Sequence, residues 1–217
     1  LLASLLTLVV LAPNYLNLDR KFDKVLWKKM MKYGLPILVA GIAFAVNEHF
    51  DKILLGYLLP ENIAKSEVGA YSACYKLGLF MVLFATAFRL GIEPFFFSHS
   101  SSDKAPQTYA VITKYFVILG SLILLGVIVF ADVLKYLLLD NESYWEAMKV
   151  VPLIILANFC LGIYNNLSVW YKLTDKTFLG ALVSIVGAII TIILLYWWIP
   201  VFGYVGAAWA TLLCYAF

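Results

Sequence analysis

Five apolar runs in this sequence are each long enough to cross the hydrocarbon core of a lipid bilayer. They extend over residues 36–59, 68–90, 108–131, 145–170 and 178–198. A hydrocarbon core of roughly 30 Å needs about 20 residues of helix. Because the bilayer offers the backbone no hydrogen-bonding partner, such runs fold as membrane-spanning helices.

The composition also indicates that the solvent of this chain is a bilayer. Apolar residues make up 64% of the 217 residues and charged residues 13%, and the mean hydropathy is +0.92. Soluble domains carry about a quarter charged residues. The composition therefore excludes an ordinary soluble domain and a disordered chain. A net charge of +3, scattered along the chain, does not favour a nucleic-acid partner.

Two shorter apolar segments, over 1–13 and 203–217, have the character of helix ends. We therefore predict an all-α, polytopic membrane helix bundle, a fragment with five complete and two truncated transmembrane helices. The connections between the runs are short and rich in Pro, Gly, Asn and Asp, which favours antiparallel neighbours. A polar segment over 14–32 marks the predicted boundary between two bundles.

The predicted loops on one side of the bundle carry most of the basic residues. By the positive-inside rule, these basic loops are cytoplasmic. The first and longest of them is either a solvated linker that sets the topology or a binding segment for anionic lipid headgroups. The opposite loops carry only Lys65 and Lys135 among several acids. The basic residues of the cytoplasmic loops are Arg20, Lys21, Lys24, Lys28, Lys29, Lys32, Lys104, Lys172 and Lys176.

The run over 36–59 carries a cluster of polar and ionisable residues. Ionisable side chains inside a membrane usually face a bundle interior or a wet cavity. Glu48 and Lys52 are four residues apart, so their charges can cancel on one helix face. We expect Glu48, Asp51 and His49 to be the residues able to carry a coupling ion. The full cluster is Asn47, Glu48, His49, Asp51 and Lys52.

The next run contributes a second set of polar residues, which includes Tyr75 and Lys76. The helical rise places Lys52 and Lys76 roughly 12 Å below the same outer surface. Two ammonium groups at this depth would concentrate positive potential, which suits an anionic substrate such as a pyrophosphate. We expect Lys52, Lys76, Asn47 and Tyr75 to line a substrate cavity. The alternative is that these residues pair as polar contacts between helices.

Other polar residues have simpler interpretations. Arg89 and Glu93 are four residues apart near the end of their run, which favours snorkelling or a local ion pair. Asn165 and Asn166 lie where interfacial hydrogen bonds suffice. The sequence has two histidines, no HExxH motif and no glycine-rich phosphate loop. We therefore predict no metal site, no cofactor and no enzyme activity.

Several segments occur together in the order and spacing of a known group of membrane proteins. They resemble landmarks in the second half of bacterial polysaccharide (O-antigen or capsule) flippases, which belong to the multidrug/oligosaccharidyl-lipid/polysaccharide exporter superfamily. The segments are KYGLP at 32–36, NEHFDKILL at 47–55, VGAYSACYKL at 68–77, FRLGIEPFFF at 88–97, YWEAMKVVP at 144–152, WYKLTDKT at 170–177 and IPVFGYVGAAWATLLCY at 199–215.

The resemblance implies two helical lobes around a central cavity. Residues 1–13 would then be the end of the N-terminal lobe, 14–35 a basic cytoplasmic linker between the lobes, and 36–217 the C-terminal transmembrane lobe, truncated at its last helix. Relatives commonly have Asp-Arg where this chain has Asp51-Lys52, and lysine keeps the charge without the bidentate geometry of arginine.

The resemblance also implies a function. The protein would flip an undecaprenyl-pyrophosphate-linked oligosaccharide across the bacterial inner membrane by alternating access, for surface polysaccharide biosynthesis. Coupling to a proton or sodium gradient follows by the same analogy. The implied partners are this lipid-linked oligosaccharide, membrane lipids, a polysaccharide polymerase and other assembly proteins.

Two other functions stay open at this point. A multidrug cation antiporter of the same superfamily would favour an acidic, aromatic pocket over paired lysines. A membrane-embedded glycosyltransferase or O-antigen ligase would need a large extramembrane loop that carries catalytic acids or arginines.

Overall fold

The computed structural model of the protein describes residues 2–16, 22–98, 105–139 and 142–216. These residues are helical nearly throughout, and five of the helical segments among them are long and apolar enough to cross a membrane. The predicted polytopic helical bundle is thereby confirmed. The elements are α1 (Leu2–Leu16), α2 (Lys24–Leu58), α3 (Glu61–Ser98), α4 (Ala105–Val129), α5 (Ala131–Leu138), a 3-10 segment (Glu142–Val150), α6 (Val151–Leu173) and α7 (Thr177–Ala216).

The chain divides into two compact units, Leu1–Gly34 and Leu35–Phe217. Helix α2 begins at Lys24, well before the predicted start at residue 36, because Asp23 caps it. The Asp23 carboxylate accepts hydrogen bonds from the backbone N–H groups of Val25 (2.8 Å) and Leu26 (3.1 Å), as an N-cap residue does. The later part of the segment predicted as a linker is therefore helical.

Three of the basic residues assigned to cytoplasmic loops, Arg20, Lys21 and Lys104, lie outside the described residues. The domain boundaries 1–13, 14–35 and 36–217 stay a prediction.

Helix α6 is the central element of the second unit and packs against α3, α4 and α7. Glycines make these contacts close: a side chain at Gly120 would overlap the Phe159 ring, and one at Gly162 would overlap Phe116. The Phe116 ring stacks on Phe84 with centroids 5.1 Å apart. Small residues that let neighbouring backbones approach are typical of membrane helix packing.

Helix α7 is a hairpin of two arms. Gly203 has φ 56° and ψ −138° and interrupts the helix. Beyond it the chain folds back, so that the Cys214 thiol lies 3.4 Å from the Gly187 carbonyl oxygen and Gly206 passes close to the Trp198 carbonyl. The two arms correspond to the predicted segments 178–198 and 203–217.

The second unit has a Pro60 end, where α3 begins, and a Thr174 end, where α6 ends. At the Pro60 end, α3 begins, Tyr144 of the 3-10 segment approaches Gly69, and the turn of α7 lies against Glu67. At the Thr174 end, the last turns of α3 and α6 meet. The contacts of Gly69 and Glu67 at one end, and the Glu93–Lys172 pair at the other, place the Pro60 and Thr174 ends on opposite sides of the second unit.

Candidate functional site

A buried carboxylate lies between α2 and α3. Asp51 is 0% exposed. Its Oδ2 accepts a hydrogen bond from the Tyr71 hydroxyl (2.9 Å), and its Oδ1 accepts one from the Lys52 backbone N–H (2.7 Å). The Tyr71 ring meets the Tyr75 ring edge-on, with centroids 5.2 Å apart. Asp51 is therefore hydrogen-bonded and withdrawn from solvent.

The neighbouring charged residues of α2 find aromatic partners. Glu48 is half-buried and accepts a hydrogen bond from the Tyr215 hydroxyl at 3.4 Å. The Lys52 ammonium lies 3.9 Å from the centre of the Tyr75 ring, which is a cation–π contact. Glu48 and Lys52 were predicted to cancel each other's charge. Among the described residues, however, they form no ion pair within 4 Å.

The predicted site residues fall into two groups. The structure brings together four residues of α2 and one of α3, namely Asn47, Glu48, Asp51, Lys52 and Tyr75. His49 and Lys76 are instead exposed and border none of the three cavities described below. Whether any of these residues binds a substrate or a coupling ion stays a prediction.

Three adjoining cavities separate α2 from α3, α6 and α7, and Phe44 borders all of them. The end cavity, of about 250 Å³, opens toward the Thr174 end between α2, α6 and α7. The middle cavity, of about 270 Å³, lies between α2, α3 and α6. The deep cavity, of about 90 Å³, lies between α2, α6 and both arms of α7.

The cavities have polar linings that the sequence did not bring together. Arg89 and Asn165 border both the end and the middle cavity. Glu48, Thr86 and Asn158 complete the polar lining of the middle cavity. Polar groups inside a membrane domain are typical of a substrate or ion pathway. The polar lining of the end cavity includes Arg89, Tyr164, Asn165, Tyr171, Lys172 and Ser184.

Arg89 is an exposed cation that borders both larger cavities. No acid of the described residues lies within 4 Å of its guanidinium. The interpretation of Arg89 and Glu93 as a local ion pair is wrong, because the Glu93 carboxylate pairs with the Lys172 ammonium of α6 at 2.6 Å. The sequence could not indicate that pair, since its members are 79 residues apart.

A chain of hydroxyl groups joins α6 to α7. The Tyr171 hydroxyl donates to the Tyr164 hydroxyl at 2.7 Å, and the Tyr164 and Ser184 hydroxyls are 3.5 Å apart. A side chain at Gly180 would overlap the Tyr171 ring, so glycine there lets the ring lie against α7. A spacing of seven residues places Tyr164 and Tyr171 on one helix face, and this was the signal that sequence reasoning missed.

A separate cavity of about 410 Å³ lies at the Pro60 end, and its lining includes Glu67, Glu146 and Lys149. Glu67 is already engaged there, because it accepts a hydrogen bond from the Tyr204 N–H at 3.0 Å. The described residues hold no group of three or more His, Cys, Asp or Glu that could bind a metal ion.

Two solved structures share this fold. One is described as the outward-facing conformation of a multidrug resistance MATE family transporter of the MOP superfamily, with a TM-score of 0.70 and 20% identity. The other is a MOP superfamily transporter from Pyrococcus furiosus, described as having a binding pocket of reversed polarity that suggests a different function, with a TM-score of 0.68 and 19% identity. Each match covers 86% of this chain.

The chain spans 42% and 41% of the length of those two proteins. No curated protein sequence matches it. The model of the MatE family matches residues 36–197, which is well over half of the chain and contains the cavities and nearly all of their polar lining. The chain therefore belongs to the MatE family, whose members are transporters.

Proposed function

We propose that the full-length protein flips an anionic, lipid-linked oligosaccharide across the bacterial inner membrane by alternating access. The observation that carries this proposal is the difference in access between acids and bases. Asp51 is fully buried and hydrogen-bonded, whereas Arg89 is exposed and borders the end and middle cavities. The charged residues that line the end cavity, Arg89 and Lys172, are both cations, which favours a phosphate-bearing substrate.

The position of Arg89 supports a role in phosphate binding. It lies nine residues before the last residue of α3, roughly 14 Å along the helix from the Thr174 end. It also lies one residue before the end of the apolar run 68–90, where a long basic side chain can reach the polar boundary of the membrane, so its exposed face can meet water or substrate. A guanidinium binds phosphate oxygens in a bidentate manner. The amide of Asn165 beside it is suited to hydrogen-bond to sugar hydroxyls.

Ion coupling belongs to the same proposal. Glu48 and Arg89 border the middle cavity together, so the protonation of Glu48 would change the field that Arg89 and a bound phosphate experience. We keep Asp51 and His49 as further ion-coupling residues, and Lys52, Lys76, Asn47 and Tyr75 as further cavity residues. We propose that the Thr174 end is cytoplasmic, since the basic residues Lys172 and Lys176 lie there. Membrane lipids, a polysaccharide polymerase and other assembly proteins are the proposed partners.

A multidrug cation antiporter is the second candidate. The observation that favours it is the grouping of Glu48 and Asp51 with the hydroxyls of Tyr71 and Tyr215 and with the Tyr75 ring. An acidic, aromatic site is suited to organic cations. In this function the buried acids, and not Arg89, would contact the substrate.

The test uses the full-length protein in proteoliposomes and a fluorescent polyprenyl-pyrophosphate disaccharide as the probe. We expect Arg89→Ala to weaken binding of the probe by about 1.5–3 kcal/mol, or roughly ten- to a hundredfold, because a charge-assisted hydrogen bond is lost. Arg89→Lys should retain part of the binding, since lysine keeps the charge but cannot form the bidentate hydrogen bonds of a guanidinium. Lys176→Ala, which removes a cation of the exposed loop, is the matched control.

Flipping of the probe is measured in the same vesicles, by its accessibility to a membrane-impermeant quencher. An Arg89→Ala variant that binds and flips the probe like the unmodified protein would contradict the proposal. Transport of a cationic dye that depends on Glu48 and Asp51, without binding of the pyrophosphate probe, would favour the antiporter instead.

A further inference from the structure

The deep cavity contains a buried polar atom that has no partner among the described residues. Asn47 is 7% exposed, and its side-chain carbonyl oxygen accepts no hydrogen bond from them. A buried acceptor without a donor destabilises a fold unless water or another group supplies the hydrogen bond. The cavity around it, of about 90 Å³, also borders the hydroxyls of Tyr164, Ser184 and Tyr215. Most of its lining is apolar, but it is large enough for water, and Asn47 with the three hydroxyl residues supplies the two to four polar partners that a buried water needs.

The deep cavity is connected to both the Thr174 end and Glu48 through hydroxyl groups. Tyr164 and Ser184 border the deep cavity and the end cavity alike. On one side, the Tyr171 hydroxyl donates to Tyr164. On the other side, the Tyr215 hydroxyl borders the deep cavity and donates to Glu48. Each hydroxyl can donate and accept at once, so the series can pass a proton.

We infer that the deep cavity holds water and that, together with the Tyr171–Tyr164–Ser184 hydroxyls, it forms a proton route from the Thr174 end to Glu48. This inference rests on the ion coupling in the proposed function and adds the path by which the proton arrives. The path is separate from the middle cavity, in which Glu48 meets Arg89. Glu48 thus lies where a proton from one cavity and a phosphate in another can both act on it.

The transfer is balanced in protons and breaks no bond between heavy atoms. A hydronium ion in the end cavity protonates the Tyr171 oxygen, the Tyr171 hydrogen passes to the Tyr164 oxygen, and the Tyr164 hydrogen passes to the Ser184 oxygen. The Ser184 hydrogen passes to water in the deep cavity. That water protonates the Tyr215 oxygen, and the Tyr215 hydrogen moves to the Glu48 carboxylate. The hydronium becomes water, and Glu48 becomes a neutral acid.

Other charged and titratable groups face Glu48 and will influence its protonation. The amides of Asn158 and Asn165, from α6, carry no charge. The complete set is His49, Asp51 and Lys52 from α2, Tyr75 and Arg89 from α3, and Tyr215 from α7.

The experiment measures proton entry into proteoliposomes that hold the full-length protein, a trapped pH-sensitive dye and the polyprenyl-pyrophosphate disaccharide probe. A pH gradient is imposed, and the rate of acidification of the interior is recorded. We expect Tyr164→Phe and Ser184→Ala to slow probe-dependent proton entry by on the order of a hundredfold. Equilibrium binding of the probe should change less than twofold. Glu48→Gln should abolish the probe-dependent part.

Thr191→Val is the matched control, because Thr191 lies in α7 like Ser184 but borders none of the three cavities. The variant removes a hydroxyl that donates to the Gly187 carbonyl at 2.9 Å. It should conduct protons like the unmodified protein. Asn47→Leu tests hydration directly. If the cavity holds water, this variant should slow proton entry. A variant with a higher melting temperature and an unchanged rate of proton entry would mean a dry cavity and overturn the inference.

Two failures can be told apart. Unmodified protein that conducts protons with the probe, while Tyr164→Phe and Ser184→Ala conduct equally well, would overturn the route and leave the proposed function standing. Flipping driven by a sodium gradient alone, or without any ion movement, would overturn the route together with the proton coupling. Binding that no longer depends on Arg89 would instead reject the proposed substrate class.

Discussion

At the residue scale, the site depends on how Asp51 is held. Its carboxylate is fully buried and accepts hydrogen bonds from the Tyr71 hydroxyl and from the backbone. Tyr71 is itself fully buried, so neither group can turn to water if the other is removed. Removing the donor would leave a buried oxygen unsatisfied, and such a loss costs more than an ordinary hydrogen bond contributes.

We therefore expect Tyr71→Phe to lower the free energy of unfolding by about 1–3 kcal/mol. Tyr196→Phe is the control, since Tyr196 is 60% exposed, and it should change stability by less than about 0.5 kcal/mol. Thermal unfolding in detergent, followed by tryptophan fluorescence, compares the two. Equal melting temperatures for both variants would mean that the Tyr71–Asp51 hydrogen bond contributes nothing.

The sequence could predict only the local part of this site. Asn47, Glu48, Asp51 and Lys52 lie within six residues on one helix, so their spacing indicated a polar cluster. Tyr215 is 167 residues from Glu48, and Lys172 is 79 from Glu93. No helical periodicity connects residues so far apart. Arg89 was interpreted from its nearest acid, whereas its place in the cavities depends on the packing of α2 and α6.

At the element scale, the turn at Gly203 determines the hairpin shape of α7. Gly203 has a positive φ of 56°, a conformation that L residues rarely adopt. A side chain there would also lie 2.6 Å from a Glu67 carboxylate oxygen. The same carboxylate accepts the first N–H of the second arm, from Tyr204. Sequence patterns indicated two antiparallel segments but not the contact that caps the second one, because the Glu67 carboxylate comes from another helix.

Gly203→Ala should therefore destabilise the protein by about 1–3 kcal/mol through backbone strain, in addition to the clash with Glu67. Gly126→Ala in α4 has open space around it and should be neutral or stabilise the helix by up to about 1 kcal/mol. We expect the Gly203→Ala variant to melt at a lower temperature than the unmodified protein, and the Gly126→Ala variant to melt at the same or a higher temperature. A Gly203→Ala variant as stable as the Gly126→Ala variant would contradict this account of the turn.

At the scale of the whole molecule, the helical bundle followed from apolar run length alone, because the bilayer allows few alternatives. Run length did not give the true start of α2, which depends on the cap at Asp23, nor the cavities beside α2. Sidedness follows from the distribution of lysine and arginine. Glu61, at the Pro60 end, and Lys176, near the Thr174 end, are both exposed and can report it.

We expect Glu61→Cys to react with a membrane-impermeant maleimide in intact spheroplasts, and Lys176→Cys to react only after lysis. The reason is that basic loops are retained on the cytoplasmic side. The variants are made in a full-length background in which Cys74, Cys160 and Cys214 are replaced by alanine. Labelling is read by a gel shift. Reaction of Lys176→Cys before lysis would reverse the proposed orientation.

The attachment of Glu67 to the α7 turn also bears on how the protein can move. It ties the second arm of α7 to α3, while α6 packs against α3, α4 and α7. These four helices are therefore packed together as one block. Helix α2 is joined to α3 by the Tyr71–Asp51 hydrogen bond and contains Pro36 farther from that point. We expect any movement of α2 relative to the block to be largest at its Pro36 end.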